Sequence, residues 1–263
     1  MTPKESAPRL PKLRLFVDED LDDGVTITLG REQSHYLANV MCAKASEGVA
    51  LFNGRDGEWS SEITALGKRV IDLRVAVRLR PQAEEPDLWL AFAPIKHGRI
   101  DFFAAKATEL GVARFLPVMT THTQVMRVNT SRLRANAIEA AEQCERLTVP
   151  EIDEPVSLAD MLANWPAERR LLVGDETGGG RPIAEAARDI EEAGSAAGAN
   201  LPCAVLVGPE GGFTATELDE LDKLTFVTKI GLGPRIMRAD TAAIAALSVI
   251  QAIAGDWRER RGR

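Results

Sequence analysis

CAVLVGPEGGFTATEL, residues 203–218, passes from an apolar run through a Gly/Pro-rich turn into a helix start. Cys203–Val207 lacks polar alternation, which marks a strand buried on both faces. Thr214 followed by Glu217 is the capping-box pattern that opens a helix. Between them, Gly208, Pro209, Gly211 and Gly212 predict a rigid loop with backbone groups free to read a ligand.

The same rhythm extends on both sides. Leu88–Ala93, Phe115–Val118, Leu171–Val173 and Phe226–Leu232 read as strands. Arg99–Leu110, Ser131–Arg146, Pro182–Glu192 and Ala239–Ala254 have helical apolar spacing. Alternating strands and helices predict a mostly parallel α/β sheet covered on both faces. Ligands of such sheets bind outside the carboxyl ends of the strands. Three loops sit there: Gly174–Gly180, Gly208–Phe213 and Gly231–Arg238.

The first 80 residues differ. Val70–Leu79 alternates strictly between apolar and mostly charged positions, as a half-exposed antiparallel strand does. Leu15–Val17, Val49–Phe52 and Trp59–Leu66 are further strand candidates, with one short helix at Arg31–Met41. This predicts a small β-barrel over 1–80, a Pro-bounded linker over 81–87 and a second domain over 88–263.

The 263 residues are 45% hydrophobic and 27% charged, ordinary values for a folded chain. No run reaches the roughly 20 apolar residues of a membrane span, and the N-terminus has no apolar signal core. Three cysteines (Cys42, Cys144, Cys203) and three histidines (His35, His97, His122) lie outside disulfide or zinc spacings. A cytoplasmic protein without a metal site is expected. The net charge is −7, yet residues 1–150 carry 20 basic and 20 acidic side chains. The excess lies in 151–200, with 4 basic and 11 acidic. Nucleic acid therefore remains an admissible partner elsewhere on the chain. GxGxxG and GxxxxGK[ST] are both absent, which excludes the usual dinucleotide and phosphate-loop fingerprints.

LVGPEGGFTATEL followed by LGPRIMRADTAA resembles the C-terminal signature of the SPOUT methyltransferases. It is most similar to the bacterial 16S ribosomal RNA uridine N3-methyltransferases. KHGRIDFFAAKATELGV (96–112), AEQCERLTVPEI (141–152), RLFV (14–17), HYLANVM (35–41) and FNGRDGEW (52–59) fit that family in order. The resemblance implies an N-terminal PUA-like RNA-binding β-barrel and a C-terminal α/β domain with a deep trefoil knot. It also implies a homodimer, with 16S ribosomal RNA or the small ribosomal subunit as partner and S-adenosyl-L-methionine as cofactor.

By the same resemblance, Leu172, Gly174, Gly208, Pro209, Glu210, Gly211, Gly212, Leu232, Gly233, Pro234, Arg235, Ile236 and Met237 would hold the cofactor. Arg14, Lys96, Arg99, Glu142, Gln143 and Arg146 would meet RNA. Lys106 and Glu109 read instead as a surface pair. Methylation at N3 needs removal of the N3 proton and a cation near the uracil carbonyls. Arg238 is the first candidate for that cation and Arg235 the second. Glu210 or Asp240 would take the proton, although Asp240 also reads as a helix-start residue. The family usually has RTETA where this chain has Arg238-Ala239-Asp240-Thr241-Ala242, and Arg where Cys42 and His122 stand. A different RNA target, or a non-catalytic RNA-binding assembly factor, are the alternatives.

Overall fold

The computed structural model describes residues 11–67, 70–95, 97–125, 127–197 and 202–258. They form two compact units. One runs to Glu84 and adds Ala141–Thr148; the other comprises Glu85–Ala140 and Val149 onward. The chain changes units inside the Pro81–Asp87 stretch, but Ala141–Thr148 joins the first unit rather than the second. Arg14 gives the physical reason, below.

The first unit contains β1 (Leu13–Phe16), β2 (Thr26–Thr28), α1 (Arg31–His35), β3 (Gly48–Phe52), β4 (Glu58–Leu66) and β5 (Ile71–Arg80), in the sheet order β1-β3-β4-β5-β2. Only β1 and β3 are parallel. The alternation in β5 behaves as patterned for Ile71, Leu73 and Val75, all buried. It fails at Val77, which is 61% exposed, where the strand runs past the core. The helix expected over Arg31–Met41 loosens after His35 into one π-turn, Tyr36–Val40.

Arg14 is an internal clamp. Its side chain is 8% exposed and lies over the Phe52 ring at 3.7 Å. It pairs with Glu58 at 2.5 Å and donates to the carbonyls of Ala141 (2.6 Å) and Arg146. Those carbonyls belong to the end of α3 (Thr130–Cys144) and the turn after it, the negative end of the helix dipole. Arg80 pairs with the other Glu58 oxygen at 2.7 Å and donates to the Glu145 carbonyl. Burial would raise the Glu58 pKa, but the bonds from Arg80 and Arg14 more than reverse this and hold it low. Glu142 Oε1 accepts the Phe16 N–H at 2.9 Å.

The second unit adds β6 (Leu88–Phe92), α2 (His97–Glu109), β7 (Arg114–Met119), β8 (Glu151–Ile152), β9 (Val156–Ser157), α4 (Leu158–Ala163), β10 (Arg170–Gly174), β11 (Arg181–Pro182), α5 (Ile183–Ala197), β12 (Cys203–Val207), α6 (Ala215–Asp222), β13 (Val227–Gly231) and α7 (Ala239–Ile253). The parallel sheet runs β11-β13-β10-β12-β6-β7-β8. Its apolar runs split between two cores. Leu172, Val205 and Leu90 pack with α2, α5 and α7, whereas Leu171, Val173, Ala204 and Leu206 pack with α4, Trp165 and Leu221 of α6. Among the described residues no helix is long and apolar enough to cross a membrane, and no cluster could hold a metal ion.

Candidate cofactor site

Pairing register brings the three glycine loops to one edge. Gly174 of β10 sits beside Ile230 of β13, and Val173 beside Leu206 of β12. Asp175 continues the ladder by donating its N–H to the Ile230 carbonyl at 2.9 Å.

The loops interlock where side chains are missing. A Cβ on Gly180 would stand 2.5 Å from the Ile230 carbonyl carbon, so the first loop closes against the third only with glycine there. Gly212 has φ +70, and a Cβ there would meet Glu176 Oε1 at 2.0 Å. Phe213, 7% exposed, anchors the second loop in the core beneath Gly208. Gly212 N–H donates to the Pro209 carbonyl at 2.9 Å, closing a tight turn around Glu210 and Gly211.

The segment after β7 straps this turn down. His122 Nδ1 lies 3.0 Å from the Gly211 carbonyl and 3.1 Å from that of Gly212. Thr121 donates its N–H and hydroxyl to Glu217 Oε1, while Glu217 Oε2 accepts the N–H of Thr214. Thr214 and Glu217 form the expected capping box of α6. Burial would raise the Glu217 pKa, but the bonds from Thr214 and Thr121 outweigh it and hold the carboxylate low.

Residues 83–251 match the family described as an RNA methyltransferase domain, and residues 29–76 match an RNA methyltransferase PUA domain. The chain is 32% identical to the ribosomal RNA small subunit methyltransferase E of Rickettsia conorii, covering 94% of this chain and 98% of that protein. The chain belongs to the ribosomal RNA small subunit methyltransferase E family. The Bacillus subtilis relative of the same name is 27% identical, covering 90% of this chain and 95% of that protein. The crystal structure of the Neisseria gonorrhoeae enzyme of that name, bound to S-adenosyl methionine, superposes with a TM-score of 0.82. Its sequence identity is 25%, with 94% of this chain and 99% of that chain covered.

Within this methyltransferase framework the residues singled out from sequence separate. Gly174, Gly208, Pro209, Glu210, Gly211 and Gly212 gather at the sheet edge, as do Leu232, Gly233, Pro234, Arg235, Ile236 and Met237 of the loop after β13. Ile236 is 86% exposed and Gly233 has φ +98. Leu172 lies within β10, 1% exposed and paired to both β12 and β13, and Asp175 follows the strand at the start of the loop. Arg238 is exposed at the start of α7. Asp240, in the first turn of α7, accepts the Thr241 N–H and pairs with Arg99 at 3.4 Å.

Of the RNA candidates, Arg14 is corrected from a surface contact to the buried clamp described above, because a buried guanidinium must spend its donors internally. Glu142 is tied to Phe16 and half-buried, Arg146 is half-buried, and Gln143 is exposed. Lys96 lies outside the described residues. Lys106 and Glu109 form the bland surface pair, at 2.7 Å. Sequence reasoning missed Asp175 and the strapping role of Thr121.

Proposed function

We propose that this chain methylates N3 of a uridine in 16S ribosomal RNA of the small ribosomal subunit, using S-adenosyl-L-methionine. The observation that carries the reading is the interlocking of three glycine loops at one sheet edge, on a chain whose relatives are named ribosomal RNA small subunit methyltransferase E. The site suits the cofactor. Gly208, Gly211 and Gly212 pack the turn after β12 directly against Phe213, His122 and Glu176, and Asp175 offers a buried acceptor.

When bound, S-adenosylmethionine supplies an electrophilic methyl group. The loops after β10, β12 and β13 hold and orient it through backbone groups, and orientation of this kind contributes about 7–11 kcal/mol in well-aligned reactions. Arg238 stabilises the negative charge that develops on the uracil carbonyls when N3 loses its proton. Glu210, exposed in the turn, receives that proton. Asp240 is less suited, because Arg99 and the Thr241 N–H already engage it.

RNA binding and dimerisation, and the trefoil knot, belong to the same reading. Exposed Arg74 and Arg78 on β5 and exposed Gln143 support an RNA face on the PUA-like unit. For the dimer, Ala243, Leu247 and Ile250 are core and unavailable. Ile236 and Phe102 are among the exposed apolar residues that could serve.

Mass mapping of 16S ribosomal RNA from a deletion strain tests the substrate: one uridine should lose 14 mass units (about one methylene). Unchanged 16S RNA with a lost methyl group elsewhere would establish a different target.

A further inference from the structure

Asp175 holds a carboxylate with one oxygen satisfied and one not. Thr177 donates both its N–H (2.9 Å) and its hydroxyl (2.6 Å) to Oδ1. Oδ2 is buried and, among the described residues, meets no donor. The residue is 6% exposed. Native folds rarely leave a buried carboxylate oxygen unpaired without a functional reason.

Its location narrows that reason. The Asp175 N–H is fixed on the Ile230 carbonyl, so the carboxylate stands at the site edge of the central strands. The two bonds from Thr177 fix the carboxylate through Oδ1 and leave Oδ2 as its remaining acceptor. Gly179 lies above Oδ2, where a Cβ would approach to 3.2 Å. Gly178 has φ +88, and Gly180 leaves no room for a Cβ against Ile230. The three consecutive glycines thus let the loop fold over this oxygen without covering it by a side chain.

We infer that Asp175 Oδ2 accepts a hydrogen bond from a ribose hydroxyl of the nucleoside cofactor. This rests on the methyltransferase reading above. A single free oxygen matches a hydroxyl, which brings one O–H. An ammonium brings three N–H donors and asks for more acceptors than this position offers. Carboxylates read ribose hydroxyls in the same way at the strand ends of dinucleotide-binding sheets.

The test is calorimetric and needs no turnover. Wild type and Asp175→Asn are titrated with S-adenosylhomocysteine, 5′-methylthioadenosine and the 2′,3′-dideoxy form of the latter. The substitution should weaken the first two by about tenfold each, which is about 1.4 kcal/mol. Wild type should lose a similar factor on the dideoxy ligand, and Asp175→Asn should not distinguish it from the parent, as a closed double-mutant cycle requires. Equal binding of parent and dideoxy ligands by wild type overturns the inference, and this arm stands even if the variant fails to fold. A loss with S-adenosylhomocysteine alone also overturns it, by assigning Asp175 to the amino-acid end. If wild type binds none of the three, the cofactor reading itself fails and takes this inference with it.

Discussion

The Nδ1 of His122 lies 3.0 Å from the carbonyl oxygen of Gly211. A carbonyl can only accept, so Nδ1 carries the hydrogen and Nε2 is left for any other work. Gly211 is glycine for the same reason: a Cβ there would sit 3.1 Å from His122 Cβ. The imidazole is therefore a fastener of the turn after β12.

His122→Ala should release that turn. Global stability should fall by only about 0.5–1.5 kcal/mol, the worth of ordinary hydrogen bonds on an exposed residue. Affinity for S-adenosylhomocysteine should fall several-fold, read by calorimetry. Unaltered affinity would show that the turn keeps its shape without His122.

Glu217 makes a pH prediction. Its folded pKa lies below the ordinary carboxylate value, so the unfolded chain takes up the proton first. Its contribution is full above about pH 4.3 and disappears as pH falls through the lowered folded value. Glu217→Gln should cost about 1–3 kcal/mol at pH 7, and the gap to wild type should narrow between pH 5 and pH 3. Urea denaturation across that range measures it. Parallel curves would mean that the carboxylate charge is not what the Thr121 and Thr214 donors require.

Arg14 separates a structural motif residue from an RNA contact. Arg14→Ala leaves Glu58 with one partner and strips the α3 end of its cation. Breaking a buried pair of this kind costs about 3–5 kcal/mol. Arg14→Lys should recover little, since an ammonium cannot reach Glu58 and two carbonyls in the geometry of a planar fork. The readout is denaturation without RNA; a stable Arg14→Ala protein with weakened RNA binding would restore the surface role.

Gly180→Ala tests the interlock of the first and third loops. The added Cβ meets Ile230 and Gly231 backbone at 2.5–2.8 Å, and backbone cannot step aside as a side-chain tip can. Clashes of this kind typically cost about 1–3 kcal/mol. Cofactor affinity should fall with stability, whereas Gly30→Ala, with nothing within 4 Å, should leave affinity intact.

These sites show what a sequence can and cannot disclose. Cys203–Val207 announced a central strand because both its faces are buried, and Thr214-x-x-Glu217 announced the α6 cap because capping is a local interaction. The three-residue β2 and the six-residue α4 escaped, being too short to establish a period. Leu172 read as part of a strand, and pairing on both sides places it in the core. Arg14 looked like a surface cation because its partners, Glu58 and the carbonyls of 141–146, are distant in sequence. Only the fold brings them together.

Arg238 carries the last prediction. It is exposed at the N-cap of α7 and its side chain makes no capping bond, so the helix does not depend on it. Arg238→Ala should therefore leave melting temperature and S-adenosylhomocysteine affinity close to wild type. Methyl transfer should fall by about 10²–10³, as when one preorganised donor to a developing anion is removed. Arg235→Ala, on the same loop, is the control: a comparable loss there with unchanged cofactor affinity would move the charge-stabilising role to Arg235. The pH profile adds a second reading. If Arg238 lowers the cost of forming the N3 anion, its removal should push the rate optimum upward, because more of the work of deprotonation passes to solvent base. A variant slowed equally at every pH would indicate that Arg238 positions the uridine instead of stabilising its charge.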